Sequence, residues 1–238
     1  MLLAVGLLAG CASANVNPSG GDDDTPDAPT SDNDGPVVDP DGPPAEPVEA
    51  TLQQTTNTTV AAQNSVACAL IDGGTGGIIR TNANSWYRVY SLAEAGINGT
   101  FAVSKVTFAV ELANNEPPLT VKVGTYSGTP DDNAPLNLGL ATFLATTTAP
   151  VANTQTPITI DAPIAASIPA GSNLIVEITS TDRPNDGEGF LMGTTNGPFQ
   201  HTNYLMATEC GINEPRAMAN VCAGCGDSQA IMSVTGTH

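Results

Sequence analysis

The sequence predicts an all-β fold: a single antiparallel two-sheet β-sandwich, jelly-roll-like, of roughly nine strands, behind a disordered N-terminal tether. Three observations predict it. Short apolar runs of five to a dozen residues recur from Val66 onward, broken by Gly, Pro, Asn and Asp. Several runs alternate apolar and polar residues, the period of a half-buried strand. No stretch keeps a helical period for three turns.

The chain of 238 residues opens MLLAVGLLAGCASANV. Leu2 to Ala9 is apolar but too short to cross a hydrocarbon core, which takes roughly 20 helical residues. A short apolar run followed by small residues is the pattern of a secretory signal peptide. No Lys or Arg precedes it, so the true start codon is expected further upstream. Ala12-Ser13-Ala14 would serve a cut that releases a soluble extracellular protein from Asn15. Leu8-Ala9-Gly10-Cys11 resembles the lipobox of bacterial lipoproteins, in which the cysteine is acylated and becomes residue one. Cysteine parity favours Cys11 as the anchor, since the remaining Cys68, Cys210, Cys222 and Cys225 form an even set. Ala12 at the second position, by resemblance to Gram-negative lipoproteins, implies the outer membrane.

The segment from Ala12 to Ala50 holds ten acidic residues, eight prolines and no Lys or Arg. Such a composition buries too little apolar surface to offset ordering entropy. As a coil of about 40 residues it would reach roughly 35 Å, holding a domain off a membrane. Asp32-Asn33-Asp34-Gly35 and Asp39-Pro40-Asp41-Gly42 resemble calcium loops, but Thr30 and Val37 stand where the EF-hand spacing wants Asp. The chain thus divides into a signal peptide over 1–10, lipidated cysteine and tether over 11–50, a transition segment over 51–65 and the sandwich over 66–238. Formal charge is −18; without the ten tether acids, 14 acids against 6 bases leave −8, which argues against a nucleic-acid partner.

Within the domain, SWYRVYSL, FAVSKVTFAVELA, LTVKVGTY, LNLGLATFLATTT, TPITID, NLIVEITST, GFLMGTT and QAIMSVTG read as strands. Leu119, Val121 and Val123 share one face against Thr120 and Lys122; Leu174, Val176 and Ile178 repeat the pattern. The change of parity from Phe101 and Val103 to Val106 and Phe108 predicts a β-bulge near Ser104-Lys105. Trp86, Tyr87, Tyr90 and Phe108 fall in apolar runs and are expected in the core.

Four domain cysteines allow three pairings. Cys222 and Cys225 stand in NVCAGCGDS, where a thioredoxin-like redox reading lacks its helix and βαβ pattern. His201, Cys210, Cys222 and Cys225 supply four zinc-ligand types, without a second CxxC or an HxxxH. Asp182, Asp186 and Glu188 cluster in STDRPNDGEG as candidates for calcium, with Arg183 among them lowering the affinity. No cofactor is otherwise expected. Phe199 in TTNGPFQHTNY is the best-placed loop aromatic for a ligand.

The stretches NSWYRVYSLAEAGINGTFAVSKVTFAVE, PLTVKVGTYSG, IPAGSNLIVEI, GFLMGT and TNYLMATECGINEP resemble a module recurring in exported bacterial proteins, over nearly all of Cys68 to Gly236. The resemblance implies a β-sandwich with an accessory, non-catalytic role. Within the module-like portions Cys68 precedes the first strand and Cys210 sits in ATECGINEP, so they are natural partners, leaving Cys222 to Cys225. Export makes disulfides the default.

Catalysis is not expected. Only His201 and His238 offer imidazole bases, Ser127 misses the G-x-S-x-G register, and no H-E-x-x-H, P-loop or dinucleotide fingerprint occurs. The expected function is a lipid-anchored envelope module displaying a binding or adhesion surface, with a glycan or an envelope protein as partner. Its alternatives are a purely structural envelope module and a non-catalytic accessory domain of a secreted enzyme system.

Overall fold

The computed structural model describes residues 46–74, 78–115, 119–131, 133–183 and 185–238. Cys11, the signal peptide expected over 1–10 and the Asp-rich motifs at 32–35 and 39–42 lie outside the described residues. Residues Ala45–His238 form one compact unit.

Fifteen strands and no α-helix occur among the described residues. They are β1 Glu49–Gln53, β2 Ala69–Ile71, β3 Ile78–Thr81, β4 Asn84–Ser91, β5 Phe101–Asn114, β6 Leu119–Tyr126, β7 Ala141–Ala149 and β8 Ile158–Ile168. They continue as β9 Asn173–Ser180, β10 Gly189–Met192, β11 Thr194–Thr195, β12 Tyr204–Ala207, β13 Ile212–Ala217, β14 Gln229–Ala230 and β15 Met232–Thr237. Eight strands have six residues or more, which matches the scale of the expected sandwich. Every pairing is antiparallel.

One sheet runs β13-β12-β4-β9-β6-β7. The other is organised on the long β5, which pairs β15 over 102–108, β10 over 110–114 and β8 over 101–110, with β1 outside β15. The two inner faces share one core. Trp86, Leu119, Val121, Val176 and Ile178 come from the first sheet, and Phe101, Val106, Phe108, Phe190 and Val234 from the second. Trp86 and Phe190 meet edge to face at 5.6 Å between centroids. A second cluster of Tyr87, Val89, Tyr126, Leu136, Ile175, Tyr204 and Ala217 covers the outer face of the six-stranded sheet. The centre of that sheet is therefore buried on both faces, with β4 and β9 buried along almost their whole length, while its edge strands β7 and β13 keep exposed residues.

Two of the bulges have a local cause. Against β15, β5 shifts register between Val103 and Lys105, with Ser104 the extra residue where the parity of the apolar set changes; against β8 the extra residue lies on β8, between Pro163 and Ala166. Register on β7 shifts past Leu144, opposite Gly124, where a Cβ would run into the Thr142 carbonyl.

The sandwich begins ahead of the boundary expected at Val66. β1 pairs the last strand, from Glu49 opposite Thr237 to Gln53 opposite Ser233, and buries Leu52. With one strongly apolar residue in five, β1 carries too little pattern to stand out from the acidic segment before it.

Candidate functional site

Arg88 organises one end of the molecule from beneath. Strand alternation aims it into the core between Trp86 and Tyr90, and it is fully buried. Its guanidinium donates to four neutral oxygens. These are Gln54 Oε1 at 3.1 Å, Asn203 Oδ1 at 3.0 Å, Gln229 Oε1 at 3.3 Å and the Ala230 carbonyl at 3.0 Å. Burial pulls the Arg88 pKa down, with the neighbouring Tyr90 acting against that. Gln54 in turn donates to the Val89 carbonyl, and Tyr90 Oη donates to the Met232 carbonyl at 2.9 Å. Burial pushes the Tyr90 phenol up from its usual value of 10.0.

Two of these partners hold the walls of a surface groove. Gln54 belongs to the segment leaving β1, and Asn203 ends the loop that precedes β12. Between them, Gln200 N donates to the Gln54 carbonyl at 3.0 Å and Thr55 pairs with Phe199 as an isolated antiparallel bridge. The third wall is the turn after β4. Ala95 N donates to the Ser91 carbonyl and Gly96 N to the Ala93 carbonyl, with Gly96 at φ +73°.

The groove has two lobes that share Gln53, Gln54 and Gln200. A lobe of about 250 Å³ is lined by Ser91, Glu94 and His201; one of about 290 Å³ is lined by Thr56, Pro198 and Phe199. His201 Nε2 lies 2.7 Å from Glu94 Oε2, and both side chains are partly exposed. The groove thus presents two exposed amide side chains, a carboxylate–imidazole pair and a half-buried aromatic ring. Amides and carboxylates accept and donate to hydroxyl groups, while a ring face covers an apolar one.

A second cleft of about 450 Å³ lies between the cysteine pairs, with Val66, Leu205, Ile212 and Val221 on its walls. Cys68 is bonded to Cys210 and Cys222 to Cys225. Two disulfides suit an oxidising, exported compartment. No helix among the described residues is long and apolar enough to cross a membrane.

The zinc candidates are not assembled. Cys210, Cys222 and Cys225 are consumed by disulfides, and His201 is held by Glu94 in the groove. The calcium candidates lie on a loop organised around an internal cation. Arg183 is buried with Glu188 and Asp182 acting on it electrostatically, and Asn185 Nδ2 donates to Glu188 Oε1 at 2.9 Å. Among the described residues, no three His, Cys, Asp or Glu side chains are grouped to hold a metal ion.

Phe199 and His201 fall in one groove although they were singled out for different chemistries. Glu94, Gln53 and Gln200 were missed, because they come from three segments with no local motif. Arg88 had one readable sign: alternation puts it on the inward face with Trp86 and Tyr90.

No family model and no curated protein matches this chain. Among solved structures, an aminopeptidase from the marine sediment archaeon Thaumarchaeota archaeon is similar at TM-score 0.27 and 9% identity, over 79% of this chain and 34% of that one. An α-amino acid ester hydrolase is similar at TM-score 0.27 and 10% identity, over 82% of this chain and 30% of that one. The chain spans about a third of the length of these structures. Likeness at this level carries no functional inference.

Proposed function

We propose that this protein is a lipid-anchored envelope module, held to the bacterial outer membrane through Cys11, that binds a glycan in the groove between Gln53, Phe199 and His201. The observation that carries the reading is the groove itself. Exposed amides, a carboxylate–imidazole pair and an aromatic ring meet there on a floor fastened by Arg88. Sites that fix orientation with a few convergent polar groups beside an apolar surface are the ordinary form of a small-ligand site.

The test is saturable binding of residues 45–238 to cell-envelope and plant polysaccharides, followed by calorimetry on those retained. Phe199→Ala is expected to weaken binding about tenfold, the worth of one ring contact. Retention of none, or equal affinity for the variant, overturns the groove as the site. Binding to envelope proteins alone makes the protein a structural module instead. The anchor is tested separately by the intact mass of native protein. Expected is a chain starting at Cys11 with acyl groups, since multiple chains give lasting membrane residence; an unmodified chain starting at Asn15 overturns it.

A further inference from the structure

Five strands lie at the edges of the two sheets, and four of them are short or carry the residues that keep edges from adding foreign strands; β10 is only four residues long. β1 is five residues long and begins with Glu49. β13 contains Glu214, Pro215 and Arg216, and β8 has Asp161 and Pro163 near its middle. Short length, charge and proline are the usual means of blocking an edge. β7 has none of them. Its nine residues, ATFLATTTA, include no charge and no proline; among the described residues its ladder is to β6 alone, while β8 of the other sheet packs against it without pairing.

Two large apolar side chains surface along the same edge. Of the five large hydrophobic residues exposed among the described residues, Leu140 and Leu144 stand on β7 or just before it, at 41% and 48% exposure. Thr142, Thr146 and Thr148 are exposed as well. Beyond the bulge at Leu144, the regular pleat runs from Ala145 to Ala149 and reads Ala-Thr-Thr-Thr-Ala in either direction.

We propose that β7 is an interface between two copies of this chain, paired antiparallel about a two-fold axis through Thr147. A two-fold interface needs a self-complementary patch, and a palindromic strand is one. In this register Ala145 of one copy faces Ala149 of the other, Thr146 faces Thr148, and Thr147 faces itself. Threonine pairs across an antiparallel ladder are favourable, and like charges directly opposite are not. Outside residues 12–50 the chain carries 14 acids against 6 bases, so a second copy is repelled by most of the surface. The neutral edge is where that repulsion is least. A charged peptide would find no residue on β7 to select it.

The experiment uses the full chain carrying Cys11→Ser, so that acyl groups cannot drive association. Sedimentation equilibrium across the micromolar range is expected to show a monomer–dimer equilibrium. Thr146→Lys with Thr148→Lys should weaken dimerisation at least tenfold, through like charges set opposite each other, with an unchanged melting temperature. Mixing that variant with the Thr146→Glu, Thr148→Glu variant should restore association as a mixed dimer. As a check independent of those variants, Thr147→Cys should give a covalent dimer on oxidation, while Thr120→Cys on β6 should not. A wild-type chain that stays monomeric, a lysine variant that dimerises undiminished, a charge-swapped mixture that remains monomeric, or the absence of the covalent dimer each overturns the proposal.

Discussion

Arg88 shows how much one residue can organise. A buried guanidinium without a carboxylate is held by four neutral oxygens drawn from Gln54, Asn203, Gln229 and Ala230. Removing it would leave three buried amides short of a partner, and truncations of this kind are among the costly ones. Tyr90, beside it, gives a pH signature. Burial raises its folded pKa above 10.0, and Tyr87 is raised likewise, by burial first and then by Glu177. A phenol that ionises more readily in the unfolded chain contributes stability in full below pH 10, and that stability is lost as pH climbs beyond. Denaturant midpoints should therefore stay level from pH 8 to 10 and fall above it. Each of the two phenols contributes a slope on the order of 1.4 kcal/mol per pH unit above that point. Tyr90→Phe should flatten the decline; an identical alkaline slope in that variant would sink the assignment.

At the scale of elements, legibility followed burial pattern. β6 and β9 alternate cleanly, so Leu119, Val121, Val123 and Leu174, Val176, Ile178 announced themselves, as did the β5 bulge. β1 did not, because its place in the sheet depends on pairing with residues nearly two hundred positions away. The candidate site was half legible. Phe199 and His201 stood out as loop residues of unusual type, but Glu94 and Gln53 acquire meaning only when three turns converge. A chain starting at Val66 loses β1, uncovers the uncharged edge of β15 and removes Gln54 from Arg88. Its thermal unfolding should show a loss on the order of 3 kcal/mol or more, with aggregation, relative to residues 45–238. Equal stability of the two would remove β1 from the folding unit.

At the scale of the whole molecule, the two disulfides are unequal. Cys68–Cys210 spans 142 positions, from the segment before β2 to the 3-10 turn Thr208–Cys210 after β12, whereas Cys222–Cys225 spans three. Chain entropy makes the long closure worth about 5 kcal/mol and the short one about 2 kcal/mol. Replacing both cysteines of the first pair by serine should thus cost more than twice as much stability as replacing both of the second. Chemical denaturation of the two double variants decides it, and a reversed order would show that the short bridge does more than close its own loop.

The position of β1 also sets how the molecule would carry a load. β1 begins at Glu49, and the groove takes Thr51 to Thr56 at its other end together with Ser91, Glu94, Phe199 and His201 from the rest of the sandwich. An anchor pulling on the first and a ligand held at the second would draw on the same strand from opposite directions. Where the ligand is held by Ser91, Glu94, Phe199 and His201, the load would pass from β1 to the rest of the sandwich through its five pairings to β15, sheared together rather than peeled apart one after another.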